Sequence, residues 1–106
     1  MVKEVFREMF KDADEAWATK MTDDFQNLRS SRKYEDEDEF MKLSTWTEVK
    51  RSVKEVMDKN KITDYEITLA SLIEGCDGDQ LIASIVISYT EDKKRKIFKT
   101  KLYSLY

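Results

Sequence analysis

The residues that most often carry catalysis are scarce in this chain of 106 residues, which has no histidine and one cysteine. Without histidine, Ser-His and Cys-His nucleophile pairs and histidine-ligated zinc or iron sites are excluded within one chain. One cysteine is too few for a thiolate zinc site, and the acidic neighbours Asp77 and Asp79 disfavour a reactive Cys76 thiolate. We therefore expect no enzymatic activity and no cofactor.

Carboxylates are the remaining candidates for chemistry. The segment Asp77-Gly78-Asp79 lacks the alternating oxygen ligands and the distal glutamate of a calcium loop, so a hairpin turn without a metal is the better interpretation. Two glycines cannot form a Gly-rich phosphate loop. Asp64 and Glu66 stand at the head of an apolar run, but surface positions explain them as well as an acid/base pair does.

Five consecutive acids form the most biased segment of the chain. These acids, called the acidic run below, are Glu35, Asp36, Glu37, Asp38 and Glu39. Acids are favoured in the first turn of a helix by the positive end of the helix dipole, so a helix start is one interpretation. The other is a docking patch for a protein partner, on a helix that imitates nucleic-acid phosphates as small phage inhibitors do.

Six bases cluster near the C-terminus with two aromatic residues, Phe98 and Tyr103, close by. They form the predicted basic tip and are Lys93, Lys94, Arg95, Lys96, Lys99 and Lys101. Bases interleaved with aromatics can hold a phosphate backbone and stack bases, whereas lysines on a sheet edge also block unwanted strand pairing. We expect a solvated turn first, a protein contact second and nucleic acid third.

Apolar spacing predicts the helices that position these charges. The first helix is predicted over about 2–28, from apolar residues three or four apart: Val2, Phe6, Met9, Phe10, Ala13, Trp17, Met21, Phe25 and Leu28. Residues 35–59 continue the same spacing, either as one helix or as two, because Thr45 and Glu48 match a capping box and indicate a break near Ser44. Asn60 is predicted to end the helical part in a left-handed conformation.

After residue 63 the apolar period changes to two, which predicts strands over about 65–73, 81–89 and 97–105. The glycine-containing segment 74–79 and the segment from Thr90 to Arg95 are the predicted turns. The sequence thus predicts an α+β fold, with two or three N-terminal helices packed on one face of a three-stranded antiparallel β-meander. We expect one domain over 1–106, helical over 2–60 and a β-meander over 63–106.

The two faces of the predicted sheet differ. The inner face, covered by the helices, is predicted to carry Tyr65, Ile67, Leu69, Leu81, Ala83, Ile85, Ile87, Phe98 and Leu102. The outer face is predicted to carry six further apolar residues: Leu72, Ile82, Val86, Ile97, Tyr103 and Leu105. A patch of that size is larger than a monomer normally exposes, which predicts a homodimer or a protein partner on this face. Wrapping by the long first helix, or curvature of the sheet, is the alternative.

Helices followed by a curved meander resemble, in topology alone, the nuclear-transport-factor-2-like and cystatin-like architectures. That resemblance implies a pocket for a small molecule between the helices and the sheet, with Trp17, Tyr65 and Tyr89 as lining.

Composition sets the broad class. Charged residues make up 39% of the chain and hydrophobic residues 41%, with a net charge of −3, so a globular chain is expected and bulk affinity for nucleic acid is not. No apolar signal-peptide core or membrane span is present in the sequence, and we expect a cytoplasmic protein that does not bind membranes. Its predicted role is that of a small binding or regulatory protein, such as an inhibitor, acting through a protein surface.

Overall fold

The computed structural model describes residues 2–30, 40–74 and 81–104, and it confirms the predicted α+β fold. The described helices are α1 (Val2–Asp12), α2 (Asp14–Ser30) and α3 (Ser44–Lys59), and the strands are β1 (Tyr65–Glu74), β2 (Leu81–Glu91) and β3 (Lys94–Tyr103). The strands form an antiparallel sheet in the order β1-β2-β3. Within the described ranges, no helix is both long and apolar enough to cross a membrane.

The helix predicted over 2–28 is interrupted at Ala13, which separates α1 from α2. The Ala13 N–H still donates to the Met9 carbonyl at 3.0 Å, and the Trp17 N–H donates to the Ala13 carbonyl at 2.8 Å. Because these bonds follow the i to i−4 helical pattern, the interruption is a local distortion that leaves few backbone groups unsatisfied. It allows apolar residues of both helices to face the sheet.

The predicted break before Ser44 is confirmed, but the capping-box interpretation of Thr45 and Glu48 is wrong. The Thr45 hydroxyl and backbone N–H both donate to the buried Asp24 carboxylate of α2, the N–H at 3.2 Å. The Glu48 carboxylate instead pairs with Lys20 of α2, and this hydrogen bond is the main reason that the pKa of Glu48 is lowered. The start of α3 is therefore capped by α2 rather than by its own sequence.

The end of α3 also differs from the prediction in its detail. Asn60 follows the last helical residue as expected, but its φ is −100°, and Lys61 takes the left-handed conformation with φ 58°. The Ile62 N–H donates to the Met57 carbonyl at 2.9 Å, and the Lys61 N–H donates to the Asp58 carbonyl at 3.2 Å. This is a Schellman motif with lysine at the position where glycine is usual.

All nine residues predicted for the inner face lie on the helix side of the sheet, either in the core or packed against it. Among the described residues predicted for the outer face, Leu72 is the exception, because it is only 6% exposed and belongs to the core. A β-bulge between Leu69 and Ser71 inserts Ala70 and shifts the alternation by one residue. Ile73 consequently takes the outer position and is 51% exposed.

The second hairpin is tighter than the predicted turn from Thr90 to Arg95. Strand β2 continues to Glu91 and β3 begins at Lys94, so only Asp92 and Lys93 connect them. Both have positive φ, at 53° and 65°, as a two-residue type I′ turn requires. The predicted turn at 74–79 begins at Glu74, the last residue of β1, and its remaining residues, which include Cys76, lie outside the described part of the chain.

Candidate functional site

Helix α1, which forms one side of the candidate site, has a buried apolar stripe and a neighbouring row of bases. Its apolar residues Val2, Phe6 and Phe10 are buried against the sheet. Each of these apolar residues is followed directly by a base: Lys3, Arg7 and Lys11. Arg7 and Lys11 are exposed. Residues four apart lie on one side of a helix, so these three bases form a row beside the buried stripe.

This row faces strand β3 across an open groove, called the α1–β3 groove below. Adjoining depressions of about 410 and 460 Å³ make up its main part. The residues lining these depressions come from α1, β3 and the start of α2: Lys3, Arg7, Phe10, Lys11, Asp14, Ile97, Phe98, Lys99, Thr100 and Lys101. A third depression, of about 330 Å³, extends the groove past Lys3 toward the Glu91–Lys96 pair.

Aromatic packing fixes the floor of the groove. The ring of Phe98 on β3 stacks on Phe10 of α1 with centroids 5.8 Å apart, and it also contacts Phe6 at 5.5 Å. Phe10 in turn meets Trp17 of α2 edge to face at 5.1 Å. These rings belong to the buried core, so the distance between α1 and β3 is set by packed side chains.

The bases that line the main part of the groove have no acidic partner among the described residues. Within the described residues, no ion pair or hydrogen bond is made by the side chain of Lys3, Arg7, Lys11, Lys99 or Lys101. Three acids, Glu4, Asp14 and Glu91, also line the groove and its extension, and Glu91 is paired with Lys96, which leaves an excess of positive charge. The groove is therefore a local cationic surface on a chain whose net charge is −3.

Because side chains alternate between the two faces of β3, the residues of the predicted basic tip lie on both faces of the sheet. Lys96 lies on the helix side, where it pairs with Glu91 at 2.9 Å; this hydrogen bond is the main cause of a raised Lys96 pKa and a lowered Glu91 pKa. Arg95 lies on the outer side, where it pairs with Asp64 at 3.3 Å and donates to Ser88 at 3.1 Å. Lys93 and Lys94 are exposed at the turn. Only Lys99 and Lys101 of the tip line the main part of the groove.

The outer sheet face is less continuous than the sequence predicts. Ile73, Ile82 and Tyr103 form one cross-strand row, but the next row is Ser71, Ser84 and Lys101. The remaining exposed isoleucine, Ile97, pairs with Ser88 and lies about 20 Å along β3 from Tyr103, at roughly 3.4 Å per residue. Leu72 belongs to the core and Leu105 lies outside the described residues, so the face carries apolar groups separated by polar rows.

The three side chains that the fold resemblance assigns to a small-molecule pocket lie in the core or pack against it. Trp17 and Tyr89 are 3% and 0% exposed and pack against Phe10 and Phe6, while Tyr65 is half-buried. None of the three lines the α1–β3 groove or its extension. The Tyr89 hydroxyl is buried without a hydrogen-bond partner in the described part of the chain, and burial raises its pKa.

Two predicted features remain untested by the structure. The acidic run from Glu35 to Glu39 lies outside the described residues, as does the turn with Cys76, Asp77 and Asp79. Among the residues that are described, no group of three or more His, Cys, Asp or Glu side chains is arranged to hold a metal ion.

The α1 row of bases is the part of the site that the sequence analysis missed. The sequence does contain a signal, because Lys3, Arg7 and Lys11 are spaced by four, but acids at positions 4, 8 and 12 made the exposed face of α1 look evenly charged. Comparison with protein-family models, with curated proteins and with solved structures finds no match for this chain.

Proposed function

We propose that this protein is a non-enzymatic binding protein that holds a negatively charged partner in the α1–β3 groove. The observation that carries the proposal is the set of five bases that line this groove without an ion-pair partner within the described residues. Unpaired like charges at close range repel one another, so they reduce stability until an anion binds between them. An acidic partner would relieve that repulsion.

The shape of the groove supports a partner that is long and narrow. The bases stand in two rows, one on α1 and one on β3, on either side of the floor formed by Phe10 and Phe98. A small anion would contact one or two of them, whereas a linear polyanion would contact both rows along their length. We therefore infer a polymeric partner carrying repeated negative charges.

A homodimer through the outer sheet face has less support than binding in the α1–β3 groove, because polar rows divide the apolar residues of that face. Sedimentation at micromolar concentration tests the homodimer, and a clean monomer would count against it. Docking through Glu35 to Glu39 remains a proposal about a segment that the structure does not describe. The cytoplasm is our proposed location.

The test is the affinity for two polyanions, polyglutamate and oligothymidylate, measured by fluorescence anisotropy at about 50 mM salt. In the groove variant, Arg7→Glu is combined with Lys99→Glu. In the control variant, Lys50→Glu is combined with Lys59→Glu; both control lysines are exposed on α3 and lie outside the groove lining.

Both variants change the net charge by the same amount, so they separate local from overall electrostatics. We expect the groove variant to lose at least about tenfold in affinity and the control to change by less than about twofold. Equal losses in both variants, or no binding of either polyanion to the wild type, would contradict the proposal.

A further inference from the structure

Strand β3 has one edge that is not paired with another strand in the described part of the chain. The Ser104 N–H donates to the Leu81 carbonyl at 3.0 Å, and the Leu81 N–H donates to the Ser104 Oγ at 2.8 Å, so the N–H of Ser104 points toward β2 at the end of the β2–β3 ladder. Hydrogen-bonded and non-hydrogen-bonded pairs alternate along an antiparallel ladder. The backbone N–H and C=O groups of Ile97, Lys99 and Lys101 therefore point away from β2, toward the open edge.

Helix α1 runs beside this edge in the same direction as β3. Lys3 lines the groove with Ile97, Arg7 with Phe98 and Lys99, and Lys11 with Lys101. Four residues of a helix advance about 6.0 Å, and two residues of a strand advance about 6.6 Å. The bases on α1 are thus spaced almost as the alternate residues of an extended chain lying along β3 would be.

We propose that the partner is an extended acidic peptide segment that adds to β3 as a fourth strand. This inference rests on the proposed function, since it names the chemistry of the partner in the same groove. The backbone of the segment pairs with Ile97, Lys99 and Lys101, and its alternate side chains face either the α1 row or the two exposed lysines of β3. Acidic residues fit both positions by charge.

The charges of β3 also argue against a second copy of this strand as the segment that pairs with the open edge. Pairing β3 with β3 would bring Lys99 and Lys101 against lysines of the other copy, and directly opposed like charges destabilise a sheet. Nucleic acid satisfies the positive charge but has no peptide groups to pair with the open edge. The combination of an open peptide edge with bases on both sides of it favours an acidic peptide.

The probe is a fluorescent peptide of about eight residues in which threonine and glutamate alternate, long enough to extend beyond the segment from Ile97 to Lys101. Its comparison peptide has the same sequence with every backbone nitrogen methylated. The two peptides carry the same charges, but only the first can donate backbone hydrogen bonds to the edge of β3. Affinities of the wild-type protein are measured for both, and for an oligothymidylate of equal charge.

Strand addition predicts that the unmethylated peptide binds at least about tenfold more tightly than the methylated peptide. Equal affinity of the two peptides would overturn strand addition while leaving the proposed function in place. Tighter binding of the oligothymidylate than of the unmethylated peptide would assign the groove to nucleic acid and overturn the peptide inference. If no probe binds, the proposed function fails together with this inference.

Discussion

The two edges of the sheet are built differently. The β1 edge is interrupted by the bulge at Ala70 and carries the exposed acids Asp64 and Glu66 near its start. The β3 edge forms an unbroken ladder with β2 from Ile82–Tyr103 to Glu91–Lys94, carries bases, and is flanked by α1. Bulges disrupt the regular hydrogen-bonding edge that a further strand would need, whereas charges oppose only strands of the same sign.

This difference indicates that one edge is closed to pairing and the other is selective. A regular edge protected only by lysines repels a second copy of the same strand but can pair with an acidic strand. Such an edge is suited to selective binding. Substitutions at either edge, or in the elements that support it, should therefore have different effects on stability and binding.

The largest effect is expected at Phe98, whose ring joins β3 to α1. Phe98→Ala removes contacts with Phe6 and Phe10 from a buried position and should lower the free energy of unfolding by about 3 kcal/mol. Phe98→Leu refills most of the volume and should cost about 1 kcal/mol. Urea unfolding measures both, and a loss in Phe98→Ala no larger than the loss expected for Phe98→Leu would mean that the packing of this ring does not support the edge.

Deletion of Ala70 is expected to open the β1 edge. The pairs on either side of the bulge, Leu69 with Ile85 and Ser71 with Ser84, become consecutive, so Leu72 keeps its place in the core. The straightened edge should then self-associate at concentrations of about 100 μM, where exposed regular edges aggregate. Analytical ultracentrifugation of the deletion variant and the wild type measures this, and a variant that stays as monomeric as the wild type would refute a protective role for the bulge.

A smaller effect is expected at Lys93, which holds a positive φ of 65° in the turn that leads into β3. Lys93→Gly should raise the free energy of unfolding by about 1 kcal/mol, because glycine adopts this conformation without steric cost. Since Lys93 does not line the groove, affinity for an acidic peptide should stay within about twofold of the wild type. A marked loss of affinity would mean that the binding surface includes the turn between β2 and β3.

The smallest effect concerns the Glu91–Lys96 pair, beside the third depression of the groove. The pKa of Glu91 is lowered from 4.5, mainly by the hydrogen bond from Lys96, so the folded state favours the carboxylate. Its stabilising contribution is complete above the unfolded-state pKa and is lost as the pH falls through the lowered pKa of the folded state. Glu91→Gln should therefore make the melting temperature less sensitive to acidification from about pH 6 to about pH 3. An unchanged pH dependence would contradict this.

The sequence predicts the helices, the three strands and the inner face because these follow from the spacing of apolar residues over long segments. It does not predict the bulge, since Leu72 and Ile73 are adjacent apolar residues and either could continue the alternation of β1. Thr45 and Glu48 also match a local capping pattern, yet their partners on α2 are Asp24 and Lys20. A local sequence pattern does not show whether a contact with a distant segment of the chain will replace the local hydrogen bonds.

The α1–β3 groove shows the same limit. The bases of α1 and of β3 are visible in the sequence, but their apposition depends on the direction in which α1 crosses the sheet, and the stacking of Phe10 on Phe98 fixes that direction. Residues separated by some ninety positions are brought together only by the packing of the core.

Amide hydrogen exchange along β3, measured with and without the alternating threonine–glutamate peptide, tests the central claim most directly. Strand addition predicts that the amides of Ile97, Lys99 and Lys101 become protected when the peptide binds, since these groups point to the open edge. Phe98 and Thr100, whose amides already pair with β2, should change little, and so should the amides of β1. Binding without protection at Ile97, Lys99 and Lys101, or with equal protection along β1, would contradict the account.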